Sequence, residues 1–279
     1  MENLKTKLFA LLLILFSFQL EAGGGWADKK GTGYFKLSQH VIISDAFFNP
    51  DGDIIDITTT GLYSTSLYAE YGLGNNFSAN LYAPVFVRNT VNRIQFQDGS
   101  VSPGDELNSI GDINVGLKYA FLQQSPVVMA VSLILGIPSG EVSGGRQGVL
   151  QTGDGEFNQM IRLEVSKSFY PFYGTVSAAL NNRTENFSDE YRLGFEVGYA
   201  KNKFSANIKF HTVQSFFNGS DEVTGNGIFS NNTEFVSFTP EVNYTVFNSL
   251  GVSANAGFAF SGKNILASPN FGLGIYYLL

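Results

Sequence analysis

Residues 111–137 carry two runs of strict apolar alternation joined by a short polar turn, a pattern that few folds can absorb. In 111–121 one parity holds Ile113, Val115, Leu117, Tyr119 and Phe121, and the other holds Asp112, Asn114, Gly116, Lys118 and Ala120. Successive side chains of a strand point to opposite faces, so this run is a strand with one greasy side and one polar or small side. After residues 123–126 the chain returns with Val127, Met129, Val131, Leu133, Leu135 and Ile137 on one parity and a smaller, mixed set on the other. Each run matches the ~9–11 residues with which a tilted strand crosses a bilayer. The stretch therefore predicts a transmembrane hairpin.

The same pattern recurs along the chain. Alternation and turn residues mark about twelve strands, near 33–43, 57–73, 76–88, 110–121, 127–137, 158–169, 172–182, 190–200, 203–215, 233–246, 250–260 and 269–279. Their connections alternate in length. Short turns lie at 74–75, 123–126, 170–171, 201–202 and 247–249, whereas Gly-, Asn-, Ser- and Asp-rich loops span 44–56, 89–109, 138–157, 183–189, 216–232 and 261–268. A soluble sandwich has no reason to keep that rhythm, but an all-β, antiparallel up-and-down transmembrane barrel has short turns at one end and long loops at the other. Tyr71, Phe77, Tyr119, Phe121, Phe169, Phe172, Tyr199, Phe204, Tyr244 and Tyr277 all fall close to the short turns or the C-terminus, as an interfacial aromatic girdle would.

Residues 1–22 read as a cleavable signal peptide, with Lys5 and Lys7 before an apolar core and Ala22 before three glycines. The expected organisation is then a signal peptide (1–22), a short periplasmic N-terminal segment (23–32) and an outer-membrane barrel (33–279), with both termini periplasmic. The expected surroundings are the lipid bilayer with its lipopolysaccharide and the barrel-assembly machinery. Gly274, Tyr277 and Leu279 resemble the C-terminal insertion signal of bacterial outer-membrane barrels, with Gly272 and Leu279 departing from its usual residues.

Composition removes other classes. A net charge of -7 argues against a nucleic-acid partner, and the absence of Cys excludes thiolate metal sites and disulfides. Mean hydropathy near zero does not oppose a membrane location, because barrels hide their apolar residues in alternation. No Walker loop, HExxH pair or nucleophile elbow occurs, so no catalytic residue, metal site or cofactor is expected. Asn49, Asp51 and Asp53 lack the full spacing of a calcium loop and read as an exposed acidic turn.

The chemistry lies on the inward parity. Lys118, Arg162, Glu164, Arg192, Glu196, Lys209, His211 and Glu241 all oppose apolar neighbours on their strands, and an Arg or Lys turned to lipid at mid-depth would cost about 2–4 kcal/mol. These eight are the candidate lumen-lining residues. Two arrangements compete: Arg162 and Arg192 as a cationic ring above an acidic zone of Glu164, Glu196 and Glu241, or each Arg paired with a neighbouring Glu. The expected role is a passive channel or transporter for small solutes. The alternative is a non-conducting barrel whose loops bind a partner or support polysaccharide export.

A family resemblance is carried by 110–119 (IGDINVGLKY), 135–140 (LGIPSG) and 150–156 (LQTGDGE). These segments resemble the phenol-degradation meta-pathway family of outer-membrane transporter-like β-barrels, and 24–26 (GGW) with 33–37 (GYFKL) is similar to a Bacteroidetes-type branch. The resemblance implies passage of small hydrophobic or aromatic compounds and supplies no catalytic residues.

Overall fold

A computed structural model describes residues 24–95, 99–220 and 229–279; the expected signal peptide lies outside the described residues. The strands are β1 (Gly33–Phe48), β2 (Ile54–Gly74), β3 (Phe77–Gln95), β4 (Val101–Ser109), β5 (Ile113–Ala120), β6 (Val128–Ile137), β7 (Asn158–Phe169), β8 (Phe172–Arg183), β9 (Glu190–Lys201), β10 (Phe204–Ser215), β11 (Glu234–Phe247), β12 (Leu250–Lys263), β13 (Ile265–Leu266) and β14 (Asn270–Leu278). All pairings are antiparallel, and β1 joins both β2 and β14, so the sheet closes on itself. The pairs β4/β5 and β13/β14 each form one interrupted stave. The result is a closed barrel of twelve staves.

Exposure inverts the logic of a soluble protein. Leu273 on the outer wall is 69% exposed, whereas Lys118 inside is 3% exposed. The outer wall also presents Leu117, Val131, Leu133, Ile161, Leu163 and Phe195, while Ser78, Ser132 and Ser166 are buried. An apolar outer band around a polar interior is how a barrel satisfies a bilayer while pairing every ladder group. At the short-turn end Phe77 stacks on Tyr119 at 4.6 Å, and Phe169, Phe172, Tyr199 and Phe204 form a continuous row with centroids 5.4–6.3 Å apart. Local chemistry sets that end. Asn75 and Asn76 both adopt positive φ between β2 and β3, the geometry that a two-residue hairpin turn requires.

Three expected loops are shorter than the sequence suggested. Most of 44–56 and 89–109 is strand: β2 and β3 run for 21 and 19 residues, and the first loop-end connection is a turn at 49–53. There Asn49 Oδ1 accepts from the amides of Asp51 and Asp53, so it is a side-chain-stabilised turn. Part of 261–268 is also strand. Above the bilayer no lipid selects apolar residues on the outer face, so these extensions lose the alternation by which the lower strands are recognised. Pro84 in β3 cannot donate to the ladder, and at that level the fourth stave breaks between β4 and β5, with the Gly111 amide donating to the Pro84 carbonyl at 2.8 Å.

Candidate functional site: a layered lumen

At the turn end, residues 24–32 run into the barrel and cross it as a strap. The Gly31 amide bonds to the Gly72 carbonyl of β2, the Asp28 amide to Ser78 Oγ of β3, and the Gly25 amide to Ser166 Oγ of β7. Between these, Ala27 packs against Ala120 and Ala130, and Gln123 clamps its backbone amide and carbonyl, both at 3.0 Å. Trp26 meets Tyr173 edge-on at 6.2 Å. Two glycines permit the close approach. A Cβ on Gly72 would collide with the Lys29 carbonyl, and Gly24 combines φ +96° with Thr175 Oγ1 2.6 Å from any added Cβ. Sequence reading saw this stretch only as a flank; its Gly-Gly-Trp composition was the available signal.

Above the strap lies a belt of charge. Lys118 forms an ion pair with Glu70 and donates to the Gly24 carbonyl at 2.9 Å, and Tyr68 Oη donates to the same glutamate. Glu241 receives Lys36 at 3.0 Å and Lys209 at 3.7 Å, while Glu196 accepts from Tyr173 Oη at 2.6 Å. Arg162 and Glu164 sit two apart on β7 and reach electrostatically to Tyr68, four staves away. Neither has an ion-pair partner within 4 Å among the described residues. His211 lies within electrostatic reach of Arg162, Arg192 and Lys209. Replacing the shared carboxylate, Glu241→Gln, would leave two lysines around a neutral amide. We expect a loss of about 1–3 kcal/mol, moderated because Lys209 is partly open to lumen water. The temperature at which the folded gel band disappears should fall accordingly.

Of the two arrangements expected for the arginines, Arg192 takes the paired one. Arg192 is bound at 2.7 Å to Glu190, a residue the sequence reading did not single out, so it joins a mouth cluster instead of a free cationic ring. Lys209 also lies directly opposite Glu196 across the β9–β10 ladder, so a lysine and a glutamate stand at one level of the belt.

At the loop end the lumen opens into a chamber of about 420 Å³. Its walls are Ile42, Leu62, Tyr82, Pro84 and Val87, with His40, Ser64, Asp112 and Asn270 as polar points; Thr152 and Phe229 come from the long loops. His40 Nδ1 and Asn270 Oδ1 are buried there side by side and close no hydrogen bond within 3.5 Å. The roof is the loop 138–157, folded inward. Thr152 Oγ1 donates to the Ile110 carbonyl, Asn89 Nδ2 to the Gln151 carbonyl, and the Gln147 amide to Asp105 on β4. Nothing in its Gly- and Ser-rich sequence announces that contact. Among the described residues no cluster of His, Asp and Glu could hold a metal ion.

No protein-family profile matches the sequence, and no curated protein is similar to it. The architecture does have solved counterparts. An outer membrane channel from Pseudomonas putida F1 superposes with a TM-score of 0.62 at 11% identity, over 94% of this chain and 100% of that one. The fold is that of a bacterial outer-membrane barrel. The NanC porin gives a TM-score of 0.53 at 9% identity over 88% of this chain and 100% of its own, and the β domain of the Bordetella autotransporter BrkA gives 0.50 at 13% over 90% and 100%. At such identities the likeness establishes the barrel alone.

Proposed function

We propose that the chain is an outer-membrane channel for small solutes, with hydrophobic or aromatic compounds as preferred cargo. The observation that carries this reading is the apolar chamber within an otherwise polar lumen. Ile42, Leu62 and Val87 point inward where the rest of the lumen carries polar and charged side chains, and together they wall a cavity that a filled, purely structural barrel would not need. A cavity of this size with apolar walls and a few polar points is how small-molecule sites are built. His40 and Asn270 would meet a polar substituent, and the charged and imidazole side chains predicted to line the lumen, apart from Arg192 at the mouth, would flank the path below. The family resemblance noted in the sequence supports the same cargo class.

In this reading the protein sits with its turn end and both termini in the periplasm. Solute arrives under the inward loop, rests in the chamber and leaves when the strap yields. Refolded barrel in planar bilayers should conduct ions weakly, and toluene should reduce that current by occupying the chamber. Leu62→Asp should weaken the block. Absence of current together with absence of toluene binding would reject the channel.

A further inference from the structure

We propose that the inward loop 138–157 is a pH-dependent lid over the chamber, latched on Arg183, held down in acid and released in alkali. The proposal rests on the channel reading and names the regulation of that same site. Its basis is the way one guanidinium gathers three carboxylates at the barrel mouth. Arg183, the last residue of β8, binds Glu156 at 2.8 Å through Nε, Glu190 at 2.9 Å through Nη1 and Asp154 at 3.1 Å through Nη2. Phe187 covers the guanidinium at 4.5 Å from its ring centroid. Asp154 and Glu156 belong to the lid, whereas Glu190 belongs to the wall. The latch therefore joins loop to barrel, and it lies two residues from Thr152, which roofs the chamber.

Charge around the latch is unbalanced. Asp112, at the start of β5, faces it from the other wall and accepts from the amides of Gly140 and Asp154 at 2.9 and 3.0 Å. Arg192 of β9 binds the second oxygen of Glu190. Asp189, in the β8–β9 loop, is held by Asn182, Asn218 and the Arg183 amide, which keep it ionised. Asp105 is occupied by Arg146 and the Gln147 amide at the far half of the lid. Asp154, Glu156 and Glu190 thus share two guanidinium groups, with the carboxylate of Asp112, held by backbone amides, as a fourth negative charge beside them. Glu156 Oε2 is buried and closes no hydrogen bond within 3.5 Å, with the Asn158 amide as its nearest polar neighbour.

One proton relieves the imbalance. Burial, then the negative charges of Glu156 and Asp112, push Asp154 up to about 7, with Arg183 offsetting them only in part. Burial raises Glu156 as well. An aspartate on a lid swung into water titrates near its ordinary value of about 4. The lid-down form therefore binds the proton more tightly. As pH falls through about 7 toward about 4, the ratio of lid-down to lid-up rises by up to about tenfold per unit, and it is constant below that range. Above about 7 both forms are ionised, and the lid-down form must keep an uncompensated carboxylate in a buried cluster.

Two measurements test this. In planar bilayers the open fraction should be lower at pH 5 than at pH 8, and Asp154→Asn, neutral at every pH, should stay low at pH 8. Independently of conduction, spin labels at E141C on the lid and D51C on the opposite turn should give a narrow distance distribution at pH 5 and a broader one at pH 8, with Asp154→Asn narrow at both. Label distances that ignore pH, or an Asp154→Asn variant that follows the wild-type pH profile, would overturn the latch. A barrel that passes no current at any pH but shows the label shift would keep the latch and remove the channel reading.

Discussion

An arginine at Phe195 should prevent stable insertion, leaving the refolded chain in the gel position of the unfolded protein with or without boiling. Phe195 faces outward from β9, 46% exposed, and stacks toward Phe210 at 6.2 Å. Placing Arg there costs about 2–4 kcal/mol near the midplane. Folding free energies of small domains are of order 5–15 kcal/mol, so one such change takes a large share. Leu117 and Val131 lie on the same outer surface and should behave alike. The inward control is Asn114→Lys, because Asn114 is half-buried in the lumen wall and its new charge would meet water. Ser132 makes a poorer control than its parity suggests: it is almost fully buried and faces Arg162 across the β6–β7 ladder. Equal insertion of Phe195→Arg and Asn114→Lys would refute the assigned faces.

Deleting residues 24–32 should increase single-channel conductance several-fold, with the folded, heat-modifiable band retained. The strap is held by hydrogen bonds to β2, β3, β7 and the β5–β6 turn, so it obstructs the lumen at the turn end from wall to wall. The staves do not depend on it, since β1 pairs along its length with β2 and β14. Trp26 is the single tryptophan of the chain. Its emission should therefore shift when the strap leaves Tyr173, which separates a displaced strap from an intact one in the full-length protein. An unchanged conductance in the folded deletion variant would show that the narrowest point lies elsewhere.

The staves were legible in the sequence for a definite reason. Where lipid touches the wall, every second residue must be apolar, and runs such as Leu117 to Phe121 or Ile161 to Val165 record that contact directly. The inward charges were legible by subtraction, because Arg162 or Lys209 facing lipid would be too costly. Their partners were not. Alternation assigns a face but says nothing about which staves meet across the lumen, so the sharing of Glu241 by Lys36 and Lys209, and the capture of Arg192 by Glu190, required coordinates. The lid was hidden for a different reason. Its backbone bends through positive-φ Gly145, Gly148 and Gly155, and glycine reports permission to bend without reporting direction.

The unequal height of the wall has a consequence for how anything reaches the mouth. The wall is tallest at β2 and β3, which run 21 and 19 residues, falls to 16 for β1 and 14 for β11 and β12, and is lowest at β6 with 10 and β7 to β10 with 12. The lid springs from the low side, after β6, and leans on the high side at Asp105 and Asn89. A lid hinged low and resting against a tall backstop can swing in only one sense, away from β3 and β4 and out over β6 and β7. The vestibule is thus a half-funnel, and a molecule drifting along the membrane surface finds its way in from one bearing around the barrel and a blank parapet from the opposite one.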